Sequence, residues 1–213
     1  MSTYKEIYGE KIKKESSNPS NPLEGQMWYN STSGTLKVRL NVPGAFASGG
    51  VLPVGSSYAG SGGTNTATVY HHGLYGPGPQ PNDNKTFEYN GTSWTETGAC
   101  NQTMRILGSS GSQTSAMAFC GGLNPNNPNF PPQASNKTES YNGSSWTNET
   151  NFPATSVGNS GAGASETSTL SFGGTQPPGP STTTASYNGS SWTAEPAMNN
   201  ASRGSGGTGT ETA

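Results

Sequence analysis

The stretch YNGSSWT occupies residues 141–147, recurs letter for letter at 187–193, and returns as YNGTSWT at 89–95. An Asn-Gly pair set between two short β-prone runs favours a tight hairpin turn, because both residues tolerate positive φ. Tyr141 is therefore expected to end one strand and Trp146 to begin the next. The three tryptophans of the phrase, Trp94, Trp146 and Trp192, stand 52 and 46 residues apart. A period of about 50 residues points to a repeat architecture, in which each repeat is one small unit that stacks on its neighbours.

A second phrase runs in step with the first. MAFCGG ends at Gly122 and LSFGG ends at Gly174, and the interval from Trp94 to Gly121 equals that from Trp146 to Gly173, 27 residues. A constant interval predicts a structural unit without insertions. The same interval leads from Gly73 back to Phe46, in GAFASGG, so Phe46 is expected at the Trp position of a first, degenerate copy. The interval from glycine to the next tyrosine varies instead, at 16, 20 and 14 residues. Variable length marks surface loops, here 74–88, 123–140 and 175–186. Their Pro- and Asn-rich composition predicts extended or polyproline-like, exposed chain. SQTSAMAFCGG alternates in the manner of a strand, and its glycine pair ends it where the backbone must turn or pack closely. Each copy thus holds about four short strands, which cannot bury their own faces without a neighbour.

Composition agrees with an all-β chain. Of 213 residues, 28% are hydrophobic and 10% charged, with 31 Gly and 16 Pro. Such a mixture penalises long helices. Disorder is disfavoured because aromatics reach 9% and the net charge is only −2. Charge divides the chain: residues 1–40 carry six Lys/Arg and four Glu, residues 41–213 four Lys/Arg and eight Asp/Glu. Two parts follow, a segment with a β-hairpin over 1–40 and the repeats over 41–213. The basic run KIKK (11–14) reads as a solvated terminal segment, so no nucleic-acid partner is expected. No apolar run approaches about 18 residues, so no membrane span is expected, and no secretory h-region is visible. Cys100 and Cys120 are the only cysteines and read as two free side chains.

The residues resemble a known pattern. A hydrophobic strand ending in Gly-Gly, then Tyr, then Trp, at this period, is similar to the kelch repeat of β-propellers. WTAEPAMNNASR, from Trp192 to Arg203, resembles the Trp-Pro-Met-Arg continuation of that repeat, and Trp94 to Arg105 has the same spacing of 11. Val157 and Ser57 stand where the other copies would carry Arg. The resemblance covers residues 41–213 and implies four-stranded, kelch-like blades, three or four of them visible. Propellers close with about four to eight blades. The final GSGGTGTETA reads as the start of a further inner strand. The last repeat is therefore expected to be truncated and the propeller incomplete, so that blades come from a longer polypeptide or from a homo-oligomer.

A second resemblance lies in SSNPSNPLEGQMWYNSTSGTLKVRL (16–40), which reads as a polar linker, a strand, a Ser-Thr-Ser-Gly turn and a second strand. It is similar to the N-terminal signature of virion structural proteins of marine tailed phages, cyanophages especially. That resemblance implies a virion component: residues 1–40 attach to other virion proteins, and the repeats are displayed, where they could meet host surface glycans. The alternative is a bacterial surface or secreted carbohydrate-binding propeller.

Candidate sites are few. The tryptophans read as contacts between blades rather than as sugar platforms, because a fixed repeat position is usually core. His71 and His72 are adjacent in an expected strand, where neighbouring side chains diverge, so no metal site is assigned. Asp83 is the one aspartate and lies in a variable loop, while Glu88, Glu139 and Glu149 read as solvated strand-edge charges. A glycosidase needs two carboxylates facing one bond, and none is recognisable. GSSGSQTS lacks the Gly-Lys-Ser/Thr of a phosphate loop. No catalytic residue and no cofactor is assigned, and a non-enzymatic role is expected.

Overall fold

The computed structural model describes residues 12–21, 23, 25–39, 49–75, 84–123 and 133–210. The chain divides into two compact units, Met1–Ser48 and Gly49–Ala213. Every regular element among the described residues is a β-strand.

In the first unit, β1 (Lys13–Glu15) lies parallel to β2 (Met27–Asn30), which forms an antiparallel hairpin with β3 (Thr35–Val38). The predicted Ser-Thr-Ser-Gly turn joins β2 to β3. Asn30 Oδ1 caps it by accepting the backbone N–H groups of Thr32 and Ser33, both at 3.0 Å. Lys13 and Lys14 are exposed, as the solvated reading of KIKK required, but they sit in a strand. Alternation in β2 gives the small sheet two unlike faces. Trp28 and Asn30 are buried, and both donate to Asn18 Oδ1, at 3.3 and 3.0 Å. Met27 and Tyr29 point the other way.

The second unit holds β4 (Ser56–Ser57), β5 (Gly60–Thr64), β6 (Ala67–His71), β7 (Leu74–Tyr75), β8 (Thr86–Tyr89), β9 (Trp94–Glu96), β10 (Gly108–Ser112), β11 (Ser115–Phe119), β12 (Thr138–Tyr141), β13 (Trp146–Asn148), β14 (Val157–Ser165), β15 (Ser168–Gln176), β16 (Gly179–Pro180), β17 (Thr184–Tyr187) and β18 (Trp192–Glu195). Three antiparallel meanders result, β5-β6-β8-β9, β10-β11-β12-β13 and β14-β15-β17-β18. They form the first, second and third blades. The short β4 pairs with β7, and β16 folds back on β15.

The repeated phrase is the outer hairpin of each blade. Tyr89 pairs with Trp94, Tyr141 with Trp146 and Tyr187 with Trp192. The turn has four residues rather than the two of the tightest hairpins. Asn142 Oδ1 accepts the N–H groups of Ser144 and Ser145, and Asn90 and Asn188 do the same in their copies. Positive φ falls on the glycine alone, +92° at Gly143. The asparagine thus serves as an acceptor.

Trp146 and Trp192 each reach across to the preceding blade. The Trp146 indole donates to Thr86 Oγ1 in β8 at 2.8 Å, and that of Trp192 to Thr138 Oγ1 in β12 at 3.3 Å. The tyrosines do likewise: the hydroxyl of Tyr141 donates to Glu88, and that of Tyr187 to Glu149. Trp94 donates to the Gly50 carbonyl. Phe46, expected at the first Trp position, lies outside the described residues.

The constant interval of 27 residues does not connect equivalent glycines. The amides of Gly73, Gly121 and Gly174 each donate to the carbonyl of the residue ten places after the tryptophan that follows them, Trp94, Trp146 or Trp192: Met104, Ser156 and Ser202. Gly174, not Gly173, therefore matches Gly121. The extra residue is Ala164, where the β14–β15 register shifts between Gly163 and Ser165, a β-bulge that the second blade lacks. Gly173 then matches Cys120 and His72, and all three have positive φ.

Much of the predicted loop at 175–186 is paired strand rather than free loop. β15 runs on to Gln176, turns through the cis Pro177-Pro178 bond and returns as β16. Backbone hydrogen bonding holds a proline pair in a hairpin there. Much of the other two predicted loops, 76–83 and 124–132, lies outside the described residues, with Asp83. GSSGS, the Gly/Ser run without a phosphate-loop continuation, is β10, an innermost strand. The innermost strands line a cavity of about 510 Å³ with Ser61, Gly62, Ser109, Gly111, Gly161 and Gly207 among its walls.

Candidate functional site

The convergence of polar side chains begins at the end of β6. His71 is the last strand residue, and His72 adopts φ +56°. Diverging side chains, expected of a continuous strand, do not occur because this left-handed residue turns the chain. Both rings end on one side, with Nδ1 to Nδ1 at 2.8 Å, and both meet Trp146 edge-on. Both histidines are fully buried.

Two further groups join them. Cys100 follows β9, and its Sγ lies 3.3 Å from His72 Nδ1. Glu139 arrives from β12 of the second blade, with Oε2 3.5 Å from His72 Nε2. Ligand atoms of His72, Cys100 and Glu139 all lie within 4.8 Å of one another. Glu139 is 0% exposed, so its reading as a solvated strand-edge charge is corrected. The physical reason is the blade contact: β12 turns this position towards the first blade, a relation across 38 residues of chain that local pattern does not carry.

Hydrogen bonding fixes the tautomers. Ser109 Oγ donates its one proton to the Ser61 carbonyl at 2.9 Å, so it accepts from His71 Nε2–H at 3.0 Å. His71 Nδ1 is then an acceptor, and His72 Nδ1–H donates to it. His72 Nε2 is left with a bare lone pair, and it has no hydrogen-bond partner; neither has Glu139 Oε1. Glu139 Oε2 accepts the Asn101 amide at 3.2 Å. Thr86 Oγ1, which accepts the Trp146 indole, lies within hydrogen-bond distance of Cys100 Sγ, at 3.4 Å.

Burial sets the charge states. It pushes the His72 imidazole down to about 3 and holds His71 well below its usual value, with His72 adding to the second effect. It raises the Glu139 carboxyl to about 7 against the lowering pull of the Asn101 and Gln102 amides. It raises the Cys100 thiol to about 12, opposed by the Thr86 hydrogen bond and reinforced by Glu139. At neutral pH both imidazoles are neutral and Cys100 is a thiol. The cluster is sealed, since Cys100 is 2% exposed and the other members are at 0%.

The remaining candidates are placed as follows. Glu88 and Glu149 are half-buried and bond to tyrosines of the next blade. Cys100 and Cys120 are free and buried. Cys120 packs in a separate apolar cluster with Phe119, Phe152 and Tyr187, and burial raises its thiol. The first unit offers a different feature. Met27 pairs with Val38 and Tyr29 with Leu36, so these four side chains share one face of the hairpin, with exposures of 39 to 54%. Among the described residues no helix is long and apolar enough to cross a membrane.

No family model matches the chain, and no curated protein matches it. Among solved structures the chain is similar to the one titled "Structure of YjhT", with a TM-score of 0.51 and 12% identity over 80% of this chain. The chain spans about half of that protein, 51%. YjhT has a β-propeller-like fold. The likeness bears on fold alone and agrees with the three stacked blades.

Proposed function

We propose that the protein is a structural component of a bacteriophage particle, whose N-terminal segment attaches it to other virion proteins and whose kelch-like blades are displayed. The observation that carries this reading is the exposed apolar face of Met27, Tyr29, Leu36 and Val38. It lies within the stretch 16–40 whose EGQMWYN…TSGTLK signature resembles phage virion proteins. An apolar face on a sheet of three short strands has little core of its own to join, and such a surface is suited to burial against a partner. The blades support the display role. Their contacts are spent on one another, through the tryptophans and tyrosines, and their turns are Ser-, Thr- and Asn-rich.

The test is a particle assay. In the parent phage, deletion of residues 1–40 is expected to abolish incorporation, measured by quantitative mass spectrometry of purified particles. Unchanged incorporation would refute the anchoring role. A glycan array probed with the blade unit separates display for adhesion, which gives specific signals, from a purely architectural role, which gives none.

A further inference from the structure

We infer that His72, Cys100 and Glu139 form a binding site for a divalent transition-metal cation of the zinc class, held between the first and second blades. The inference is independent of the particle reading and begins with a comparison inside the molecule. His71 and Phe119 occupy the same register, opposite Thr86 and Thr138. His72 matches Cys120, one residue on. Cys100 and Phe152 each follow their tryptophan by six residues, and Glu139 and Ala185 each precede their tyrosine by two. The second interface thus presents Phe119, Cys120, Phe152 and Ala185 around Trp192, an apolar cluster. The first presents His71, His72, Cys100 and Glu139 around Trp146.

The fold therefore requires nothing polar at these four positions. Burying polar groups there costs stability unless they are paired, and the pairing is incomplete. His72 Nε2 has a lone pair without a donor, and Glu139 Oε1 has no partner either. A cation satisfies both. Imidazole nitrogen, thiolate and carboxylate together make a mixed donor set that suits zinc. Glu139 binding through both oxygens would bring the donors to four. Binding displaces the Cys100 thiol proton, which leaves to solvent, and His72 coordinates as the neutral imidazole it already is.

The outer shell is in place. His72 Nδ1–H is held by His71, which is held by Ser109 and through it by the Ser61 carbonyl. Relays of this kind orient a ligating histidine. Asn101 N–H holds the carboxylate and Thr86 faces the sulfur. With every ligand sealed from solvent, the ion is a structural clamp between blades, taken up as the chain folds.

The experiment uses the full chain, stripped with a chelator under mild denaturation, refolded and titrated with Co2+ and then Zn2+. The expected result is one Co2+ per chain with a thiolate-to-cobalt charge-transfer band, displaced by Zn2+, and a higher melting temperature with Zn2+ than with chelator. Cys100→Ser removes the band, Glu139→Ala abolishes one-to-one binding at micromolar Co2+, and the positioning variant His71→Phe weakens binding by about 10- to 100-fold. Absence of bound metal in the refolded wild type overturns the site. So does Co2+ binding without the thiolate band, or binding unchanged in Glu139→Ala. Should a variant fail to fold, the wild-type band and Zn2+ melting shift decide alone.

Discussion

At Gly161 an added Cβ would sit 2.2 Å from the Ser109 carbonyl oxygen, and at Gly62 one would sit 2.9 Å from that of Gly111. Both are backbone contacts between innermost strands of neighbouring blades, so no side chain can swing aside to relieve them. Gly161→Ala is expected to destabilise the second unit by about 1–3 kcal/mol, read as a lower denaturant midpoint. Gly55, with nothing within 4 Å, is the control and should tolerate alanine. Asn142→Ala removes an acceptor of two backbone N–H groups at an exposed turn and should cost about 1 kcal/mol, by the same measurement. The glycine richness that sequence presents as composition thus has a definite geometric cause at a few positions. The strand-turn-strand of Tyr141 to Trp146 was legible because register and turn chemistry are local. The left-handed conformation of His72 was not, since nothing in VYHHG distinguishes a strand that continues from one that turns at its last histidine.

The blades depend on what lies between them. Trp146 is 6% exposed, hydrogen-bonded to Thr86 and packed on both histidines. Trp146→Ala should cost about 3–5 kcal/mol. Trp94 is half-buried and bonds to a carbonyl of irregular chain, so Trp94→Ala should cost less. Chemical denaturation of the two variants checks the order. The repeat itself was readable from spacing, and the role of tryptophan as a contact between blades followed from it. Two things were hidden. The bulge at Ala164 was masked because GG in the third blade aligns by letter with GG in the second, while the backbone aligns Gly173 with Cys120. The burial of Glu139 was masked because its surroundings come from β6 and the segment after β9, far away in sequence.

The division into Met1–Ser48 and Gly49–Ala213 has a consequence for each part. Residues 49–213 expressed alone should retain β-sheet circular dichroism and unfold cooperatively, because the blade contacts described above lie within that unit. The all-β class was legible in composition and period. The exposed face of the hairpin was legible only in part: alternation in MWYN shows that β2 has two faces, but not which of them Asn18 covers. The functional account rests on the face left open. Its most direct test replaces Met27, Tyr29, Leu36 and Val38 together by threonine, which keeps β-propensity while removing apolar area. Copies per particle are then counted by quantitative mass spectrometry. The account predicts a folded protein, by circular dichroism, that is lost from particles; incorporation at the wild-type level would contradict it.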